Sequence, residues 1–188
     1  MSDEKNAVRY HAKRFRNALE LNPDWAEQAA HIFFEKIKID DAAVVASYYP
    51  IGTEIDPSPI VDVLWERGVT TCLPVVQGDS VPLCFVRWNR HTGLVPSDLG
   101  LLEPAGTDYV QPDILIVPLL AFDQRGYRLG YGKGHYDVTL AALRAVKPIL
   151  AVGLAYAEQA VLLALPTEGH DQKLDLVITP QRFFDFRA

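Results

Sequence analysis

Apolar residues recur along the chain with two spacings, one typical of helices and the other of buried strands. Near the N-terminus, Val8, Ala12, Phe15 and Leu19 lie three or four positions apart, which predicts an amphipathic helix with these residues on its buried face. Similar spacing predicts helices over residues 25–36, 60–67, 138–145 and 157–163. The chain therefore begins with two helices before its first strand.

Short apolar runs between the helices predict strands over residues 42–49, 70–76, 81–88, 114–122, 149–155 and 174–179. The run at 114–122 is apolar on both faces, which is typical of a central parallel strand. Residues 89–110 are rich in Gly and Pro and are predicted to be loop. Because strands alternate with helices, we predict an α/β fold with a single three-layer domain over residues 1–188. Its mainly parallel sheet is flanked by helices in an open, Rossmann-like arrangement, and ligands bind such sheets beyond the carboxyl ends of the strands.

Composition narrows the function classes. The formal net charge is −6, which argues against nonspecific nucleic-acid binding, so no nucleic-acid partner is expected. No apolar stretch approaches the roughly 20 residues of a membrane span, and the first residues, MSDEK, do not form a signal peptide. Cys72 and Cys84 are interpreted as reduced thiols, and the five histidines have no metal-ligand spacing. We therefore expect a cytoplasmic protein without a membrane partner, acting as a monomer or weak dimer.

The segment with the most distinctive chemistry is GYRLGYGKGHYD at residues 126–137, directly after an apolar strand. Its glycines permit a sharp turn with several N–H groups exposed, and Arg128 and Lys133 add positive charge. A helix follows, so the segment suits a polyphosphate, and the rings of Tyr131, His135 and Tyr136 suit a flat heterocycle. The glycine spacing matches neither a P-loop nor a dinucleotide fingerprint. A glycine-rich hairpin or surface loop with scattered charge is the alternative.

Several charged residues outside this segment are candidates for ligand contact. Lys5, Arg9, Lys13 and Arg16 form a basic stripe on the first helix, which either contacts phosphate or is simply solvated. Glu54 follows a strand end and could accept hydrogen bonds from a substrate, whereas Asp56 fits a helix cap. Asp137 and Asp171 are magnesium candidates; the alternatives are a helix N-cap and a polar loop residue. No nucleophile elbow or catalytic triad pattern is present.

These segments together resemble the 5-formyltetrahydrofolate cyclo-ligase family, also called methenyltetrahydrofolate synthetases. The resemblance is carried by VPLLAFD at residues 117–123 and by the glycine-rich segment after it. Lys5 and Arg9, YYPIGTEID at 48–56, GLLEP at 100–104 and HDQKLDLVIT at 170–179 support it in family order. The resemblance covers nearly the whole chain and implies the cyclo-ligase type of α/β fold.

The resemblance implies an enzyme that uses ATP and Mg²⁺ to convert 5-formyltetrahydrofolate into 5,10-methenyltetrahydrofolate, with release of ADP and phosphate. In the family the formyl oxygen is thought to receive the γ-phosphoryl group, after which N10 attacks and phosphate leaves. Phosphoryl transfer depends chiefly on positioning and charge neutralisation. A site of cations, backbone N–H groups and metal, with no protein nucleophile, is consistent with that chemistry.

The resemblance also implies roles for individual residues. Arg128 and Lys133 are the catalytic candidates. ATP contacts are implied for Lys5, Asn6, Ala7, Val8, Arg9, Arg128, Leu129, Gly130, Tyr131, Gly132, Lys133, Gly134, His135 and Tyr136. Folate contacts are implied for Tyr49, Glu54, Tyr131, Gly132, Lys133, Gly134 and His135, and magnesium contacts for Asp137 and Asp171. His135 stands where the family commonly has Tyr or Phe. The alternative function is a folate- or nucleotide-binding regulatory domain without cyclo-ligase activity.

Overall fold

The computed structural model describes residues 3–97 and 100–187 of the chain. Its helices are α1 (Asp3–Asn17), α2 (Trp25–Lys36), α3 (Ser58–Glu66) and α4 (His135–Arg144). Its strands are β1 (Val44–Ala46), β2 (Thr70–Val75), β3 (Cys84–Arg87), β4 (Leu94–Pro96), β5 (Leu102–Pro104), β6 (Ile114–Pro118), β7 (Ala121–Asp123), β8 (Arg128–Leu129), β9 (Leu150–Leu154), β10 (Ala160–Val161), β11 (Leu176–Ile178) and β12 (Phe183–Asp185). Among the described residues, no helix has both the length and the hydrophobicity needed to span a lipid bilayer.

The main sheet has seven strands in the order β12-β11-β9-β6-β1-β2-β3. The five inner strands run parallel, and β12 and β3 join antiparallel at the two edges. The inner strands are apolar on both faces because helices cover both sides of the sheet. This arrangement confirms the predicted α/β fold class with a mainly parallel sheet.

Two apolar clusters give the fold its three layers. On one face, Phe33 of α2 and Leu64 of α3 are buried in a cluster with Val45 of β1. On the other face, Leu140 of α4 is buried with Val117 of β6. Successive residues of each strand point to opposite faces, so one short apolar strand supplies both clusters.

Helix α1 lies outside these layers and packs on a second, three-stranded sheet in the order β10-β7-β8. The predicted apolar face is only partly correct: Val8 and Ala12 pack there, but Phe15 is 53% exposed. Lys5 and Arg16 are buried instead. Their side chains face polar groups at the end of the main sheet, so hydrophobicity alone does not determine how this helix is rotated.

The apolar run at 114–122 does not form one strand as predicted. Strand β6 ends at Pro118, which has no N–H to donate to the ladder. The chain then turns, and the Leu120 N–H donates to the Leu129 carbonyl at 2.7 Å as β7 joins the small sheet. The turn leaves Leu119 and Leu120 beyond the carboxyl end of the main sheet.

Three further predictions of secondary structure are corrected. Residues 89–110, predicted to be loop, include the hairpin β4–β5, whose strands are too short to give a periodic signal. Residues 157–163, predicted to be helical, form a 3₁₀ turn at Ala157–Gln159 followed by β10, which pairs with β7. The predicted last strand is followed by another, β12, at the sheet edge.

Candidate functional site

The carboxyl ends of the neighbouring strands β1 and β6 bring two loops together at one edge of the main sheet. One loop contains Glu54. The other follows β6 and leads through β7 to the glycine-rich segment at residues 126–137, which contains β8. Helix α1 contacts both loops. Arg16 Nε donates to Thr53 Oγ1 of the first loop at 3.3 Å. In the second, Arg9 Nε donates to the Gly130 carbonyl at 3.2 Å, and Arg16 Nη1 donates to the Leu119 carbonyl at 3.4 Å. Gln159 Nε2 also donates to the Leu119 carbonyl, at 2.7 Å. The candidate site is therefore built from three parts of the chain distant in sequence.

The glycine-rich segment turns through backbone conformations that favour glycine. Gly132 has φ 96° and Gly134 has φ 71°. Gly134 caps α4, which begins at His135 and not at Val138 as predicted. The first N–H groups of a helix have no partner within it, so this junction offers donors to an anion. Gly126 has a packing role, since an added Cβ would lie 2.9 Å from Phe186.

Arg128 and Asp137 form a buried ion pair at the base of this segment. Arg128 Nη2 lies 3.0 Å from Asp137 Oδ1, and the Arg128 side chain is 4% exposed. The same Asp137 oxygen accepts the Gln172 N–H at 2.9 Å, and Arg128 Nη1 donates to the Gln172 carbonyl at 2.8 Å. Burial lowers the pKa of Arg128, and the charge of Asp137 opposes that shift. The alternative interpretation of Asp137 as the N-cap of α4 is therefore wrong, because Gly134 occupies that position.

Lys5 and Asp171 form a second buried ion pair beside the first. Lys5 Nζ lies 2.6 Å from Asp171 Oδ2 and 3.3 Å from Glu168 Oε2. Burial raises the pKa of Asp171, but the Lys5 ammonium and the Glu168 N–H outweigh it and hold that pKa below its usual range. Glu168, His170 and Asp171 place ligand atoms within 4.8 Å of one another. The sequence pattern did not single out Glu168 and His170 as possible metal ligands, although both lie just before the predicted Asp171.

Glu54 and Arg16 are buried next to Tyr131, whose side chain is partly exposed. Glu54 Oε2 accepts the Ile51 N–H at 2.8 Å, and Oε1 lies 3.7 Å from Arg16 Nη1. Arg16 Nη2 donates to the Tyr131 hydroxyl at 2.5 Å, and Arg16 Nε donates to Thr53 Oγ1 at 3.3 Å. Burial raises the pKa of Glu54, and the Ile51 N–H and the Arg16 charge offset only part of that shift. The carboxyl group thus sits in a poorly solvated place with one oxygen facing a cation.

Unsatisfied buried polar atoms concentrate at this edge of the sheet. Among the described residues, the buried side-chain atoms without a hydrogen-bond partner are Ser47 Oγ, Glu54 Oε1 and both ring nitrogens of His135. Ser47 directly follows β1, and His135 begins α4. Buried polar groups are normally satisfied, so unpaired ones in a native structure mark places where a ligand or water binds.

The remaining predicted residues differ in their exposure and in what their side chains can offer to a ligand. Lys133 is exposed and lies 3.2 Å from Asp79 Oδ1, and Tyr49 is 43% exposed. Asn6 accepts a hydrogen bond from Arg9 Nη1 at 2.8 Å. Four predicted residues offer little side chain to a ligand: Ala7 and Gly130 are too small, while Val8 and Leu129 pack in the cluster under α1. These four can contribute only backbone groups or shape.

For Arg16 and Asp56, the sequence offered roles that depend on which groups surround each side chain. The sequence placed Arg16 in a basic stripe with two open interpretations, and neither anticipated that it is 2% exposed. A signal was available, because Arg16 lies within about 20° of Lys5 on the helix by the 3.6-residue period. Asp56 Oδ1 accepts the N–H of Ser58, the first residue of α3, at 2.9 Å, but the N-cap position itself is occupied by Pro57.

An apolar cavity of about 620 Å³ lies among side chains that include Phe122, Leu162 and Phe184. It contains none of the paired ions or unsatisfied polar atoms described above. Asp123, Gln124, Glu158, Gln181 and Arg182 also line the cavity, but none of the predicted site residues does. We therefore assign the candidate site to the polar edge of the sheet and not to this cavity.

Known proteins resemble the chain along nearly its whole length. A model of the 5-formyltetrahydrofolate cyclo-ligase family matches residues 1–180. The 5-formyltetrahydrofolate cyclo-ligase of Escherichia coli (strain K12) is 34% identical over 173 residues, which cover 89% of this chain and 94% of that protein. The protein of the same name from Haemophilus influenzae is 33% identical over 181 residues, covering 92% of this chain and 96% of its own.

Solved structures agree with the sequence comparisons. The NMR structure of Aquifex aeolicus 5,10-methenyltetrahydrofolate synthetase superposes with a TM-score of 0.80 at 28% identity, covering 98% of this chain and 93% of that one. A 5,10-methenyltetrahydrofolate synthetase from Mycoplasma pneumoniae superposes with a TM-score of 0.74 at 22% identity, covering 94% and 99%. The second identity is low enough that it supports the fold alone.

Proposed function

The chain belongs to the 5-formyltetrahydrofolate cyclo-ligase family, and from that premise we propose that the polar edge of its sheet carries out the family's ATP-dependent ring closure. The substrates are 5-formyltetrahydrofolate and ATP, and the products are 5,10-methenyltetrahydrofolate, ADP and phosphate. The membership confirms the resemblance seen in the sequence. We propose the roles of individual residues from their contacts.

The reaction needs a poor leaving group to become a good one. The formyl oxygen attacks the γ-phosphorus of ATP, the bond to the bridging oxygen breaks, and ADP leaves. N10 then attacks the formyl carbon and loses its proton, and phosphate leaves with the former formyl oxygen. Neither step needs a protein nucleophile, so the protein's task is to hold both substrates and neutralise negative charge.

We define the phosphate end of the site by the charged residues Lys5, Arg9, Arg128, Lys133, Asp137 and Asp171. The glycine-rich turn supplies backbone N–H groups next to the start of α4, which suits the phosphate chain of ATP. Arg128 is fixed by its contacts with Asp137 and Gln172, whereas Lys133 is exposed and free to move toward a ligand. We propose that Arg128 provides fixed positive charge and that Lys133 closes over the transferred phosphoryl group.

Asp137 and Asp171 are the residues that would hold Mg²⁺. Carboxylate oxygens are the ligands this ion prefers, and it shares them with substrate phosphates and water. Both carboxylates are already next to a cation, Arg128 and Lys5 respectively. The donor set therefore fits magnesium when the phosphates of ATP arrive and attract those cations. When bound, the ion supplies neutralisation of phosphate charge.

We define the folate end of the site by Ser47, Tyr49, Glu54, Tyr131 and His135. Glu54 Oε1 is buried without a hydrogen-bond partner, so it can accept an N–H group of the bicyclic ring of the folate. Tyr131 contributes a ring beside it, and Tyr49 is exposed enough to cover a bound ring. The two ends meet at the glycine-rich segment, which fits transfer of a phosphoryl group from one substrate to the other.

The observation that carries this proposal is the set of unsatisfied buried polar atoms at the sheet edge, beside two buried ion pairs. The test is to follow the absorbance of 5,10-methenyltetrahydrofolate formed from 5-formyltetrahydrofolate by the purified protein. Product is expected only with ATP, and Mg²⁺ is expected to be required. Binding of the folate without product under full conditions would overturn the proposal and favour a regulatory binding domain.

A further inference from the structure

Arg16 is a fully buried charged side chain at the site, and the resemblance to the family gives it no role. It is 2% exposed and comes from the last turn of α1. Its guanidinium contacts the Leu119 carbonyl, Thr53 Oγ1, the Tyr131 hydroxyl and, at 3.7 Å, Glu54 Oε1. Burying an arginine is costly unless its donors are used. Here they are used on three separate segments that meet at the folate end.

We propose that Arg16 is a positioning residue: its guanidinium holds the Glu54 carboxyl group and the Tyr131 hydroxyl in the geometry that receives the folate. The inference rests on the proposed function and adds a residue to it. Arg16 acts through these two members of the folate end, because its own donors are used on groups of the protein. The rigid, planar guanidinium can reach all of them at once, which a lysine ammonium cannot do.

The contacts of Tyr131 and Glu54 explain how this arrangement orients groups toward a ligand. The Tyr131 oxygen accepts from Arg16, and the Tyr131 hydroxyl in turn interacts with the Glu54 carboxyl group, so Arg16 holds its two partners together. Glu54 Oε2 is held by the Ile51 N–H, which turns Oε1 toward Arg16 at a distance too long for a hydrogen bond. Oε1 is therefore kept charged by a nearby cation but left open for a substrate N–H.

Other titratable groups around Glu54 make Arg16 the main source of positive charge there. The groups that interact with Glu54 or with its neighbours are the phenols of Tyr48, Tyr131, Tyr136 and Tyr156, the carboxyl group of Asp56 and, through Tyr136, the guanidinium of Arg128. Burial raises the pKa of each of these phenols, so they remain neutral near pH 7. Burial likewise raises the pKa of Glu54, and Arg16 opposes this shift. Removing Arg16 should therefore favour the protonated form of Glu54.

The first experiment measures binding of 5-formyltetrahydrofolate and of a non-hydrolysable ATP analogue by calorimetry. Arg16→Met is expected to weaken folate binding tenfold or more while changing affinity for the ATP analogue less than about threefold, since one lost charged contact is worth about a factor of ten. Arg16→Lys, which keeps the charge, should fall between Arg16→Met and the unmodified protein. The matched control is Arg14→Met, an exposed arginine on the same helix, which should change neither affinity.

A double-mutant cycle separates positioning from general packing. Because Arg16 acts through Glu54, the Arg16→Met/Glu54→Gln protein should bind folate no more weakly than the weaker single variant. A third readout is the carbon-13 NMR titration of the Glu54 carboxyl group, assigned with Glu54→Gln. Its pKa should rise in Arg16→Met and stay near that of the unmodified protein in Arg16→Lys.

The outcomes distinguish this inference from the proposed function. Equal losses of folate and ATP-analogue affinity, additive effects in the double variant, or an unchanged Glu54 pKa in Arg16→Met would each overturn the role of Arg16 while leaving cyclo-ligase activity intact. If Arg16→Met does not fold, Arg16→Lys decides: unchanged folate affinity in that variant also overturns the role. Absence of folate binding by the unmodified protein would overturn the proposed function, and this inference with it.

Discussion

The two ends of the site hold charge in opposite ways. At the phosphate end, Lys5 and Arg128 are already in contact with Asp171 and Asp137, at 2.6 Å and 3.0 Å. At the folate end, Glu54 Oε1 has no hydrogen-bond partner and its nearest cation is 3.7 Å away. Ligands at the phosphate end must therefore exchange partners with existing ion pairs, whereas a ligand at the folate end completes an unsatisfied group.

This difference predicts different costs of substitution. Breaking a buried ion pair leaves an uncompensated charge and costs stability as well as function. Removing an acceptor that has no partner within the protein should weaken ligand binding more than it lowers stability, because no internal hydrogen bond of that atom is lost. The following variants test this contrast.

Arg128→Ala should have the largest effect. It removes a buried cation that contacts Asp137 and the Gln172 carbonyl. We expect kcat/KM to fall about a hundredfold, the upper end for a charged hydrogen bond, and the free energy of unfolding to fall by about 3–5 kcal/mol. Methenyl absorbance and urea denaturation measure the two effects.

The control for Arg128 is Arg144→Ala, which removes an arginine paired with Asp175 at 2.9 Å near the other end of α4. It should lower stability with near-normal kcat/KM. Comparable activity in both variants would show that Arg128 has only a structural role.

Lys133→Ala should lower activity without lowering stability. Its side chain is 63% exposed, and its contact with the exposed Asp79 is worth less than about 1 kcal/mol. We expect kcat/KM to fall at least about tenfold because a charge over the phosphate chain is lost. Asp79→Ala is the control and should retain normal turnover. Normal kcat/KM in Lys133→Ala would remove the lysine from the proposed chemistry.

Glu54→Gln should raise KM for 5-formyltetrahydrofolate about tenfold and leave KM for ATP nearly unchanged. Gln keeps one acceptor but adds a donor pair facing Arg16, which opposes the arrangement seen around Oε1. Steady-state kinetics with each substrate varied separately measures the split. A higher KM for ATP alone would mean that Glu54 serves the other end of the site.

The pH dependence of folate binding sharpens the assignment of Glu54. Burial raises its pKa, so as pH falls the carboxyl group becomes protonated at a higher pH than an exposed glutamate does. Folate affinity should be full above that raised pKa and should be lost as pH falls through it. In Glu54→Gln, folate affinity should no longer fall at low pH. If the variant shows the same loss of affinity at low pH, another group is responsible for it.

Asp137→Asn should have the smallest effect on catalysis, together with some loss of stability because the buried Arg128 guanidinium loses its counter-charge. Asn retains an oxygen that accepts from Arg128 and from the Gln172 N–H, but it loses the charge that Mg²⁺ prefers. We expect a several-fold higher magnesium requirement and a lower kcat, on the order of one lost charged contact. Titration of activity with Mg²⁺ measures it. An unchanged requirement would limit Asp137 to holding Arg128.

The sequence alone determined the fold class and supplied the candidates for the proposed site. Alternation of apolar strands with helices was sufficient for a mainly parallel sheet, because burial on both faces leaves a continuous apolar run. The glycine-rich segment and the residues of 48–56 and 170–179 could be found because glycines, cations and carboxylates are conspicuous next to strand ends. These are local signals that a linear pattern contains.

The tertiary structure decided how those groups are paired. Spacing could not show that Asp137 contacts Arg128 instead of capping α4, because the start of that helix depends on the left-handed turn at Gly134. It also could not show that Arg16 is buried while Phe15 is exposed, since α1 packs on the small sheet β10-β7-β8 and not on the main core. Partners far apart in the chain are chosen by packing between elements, which local periodicity does not record.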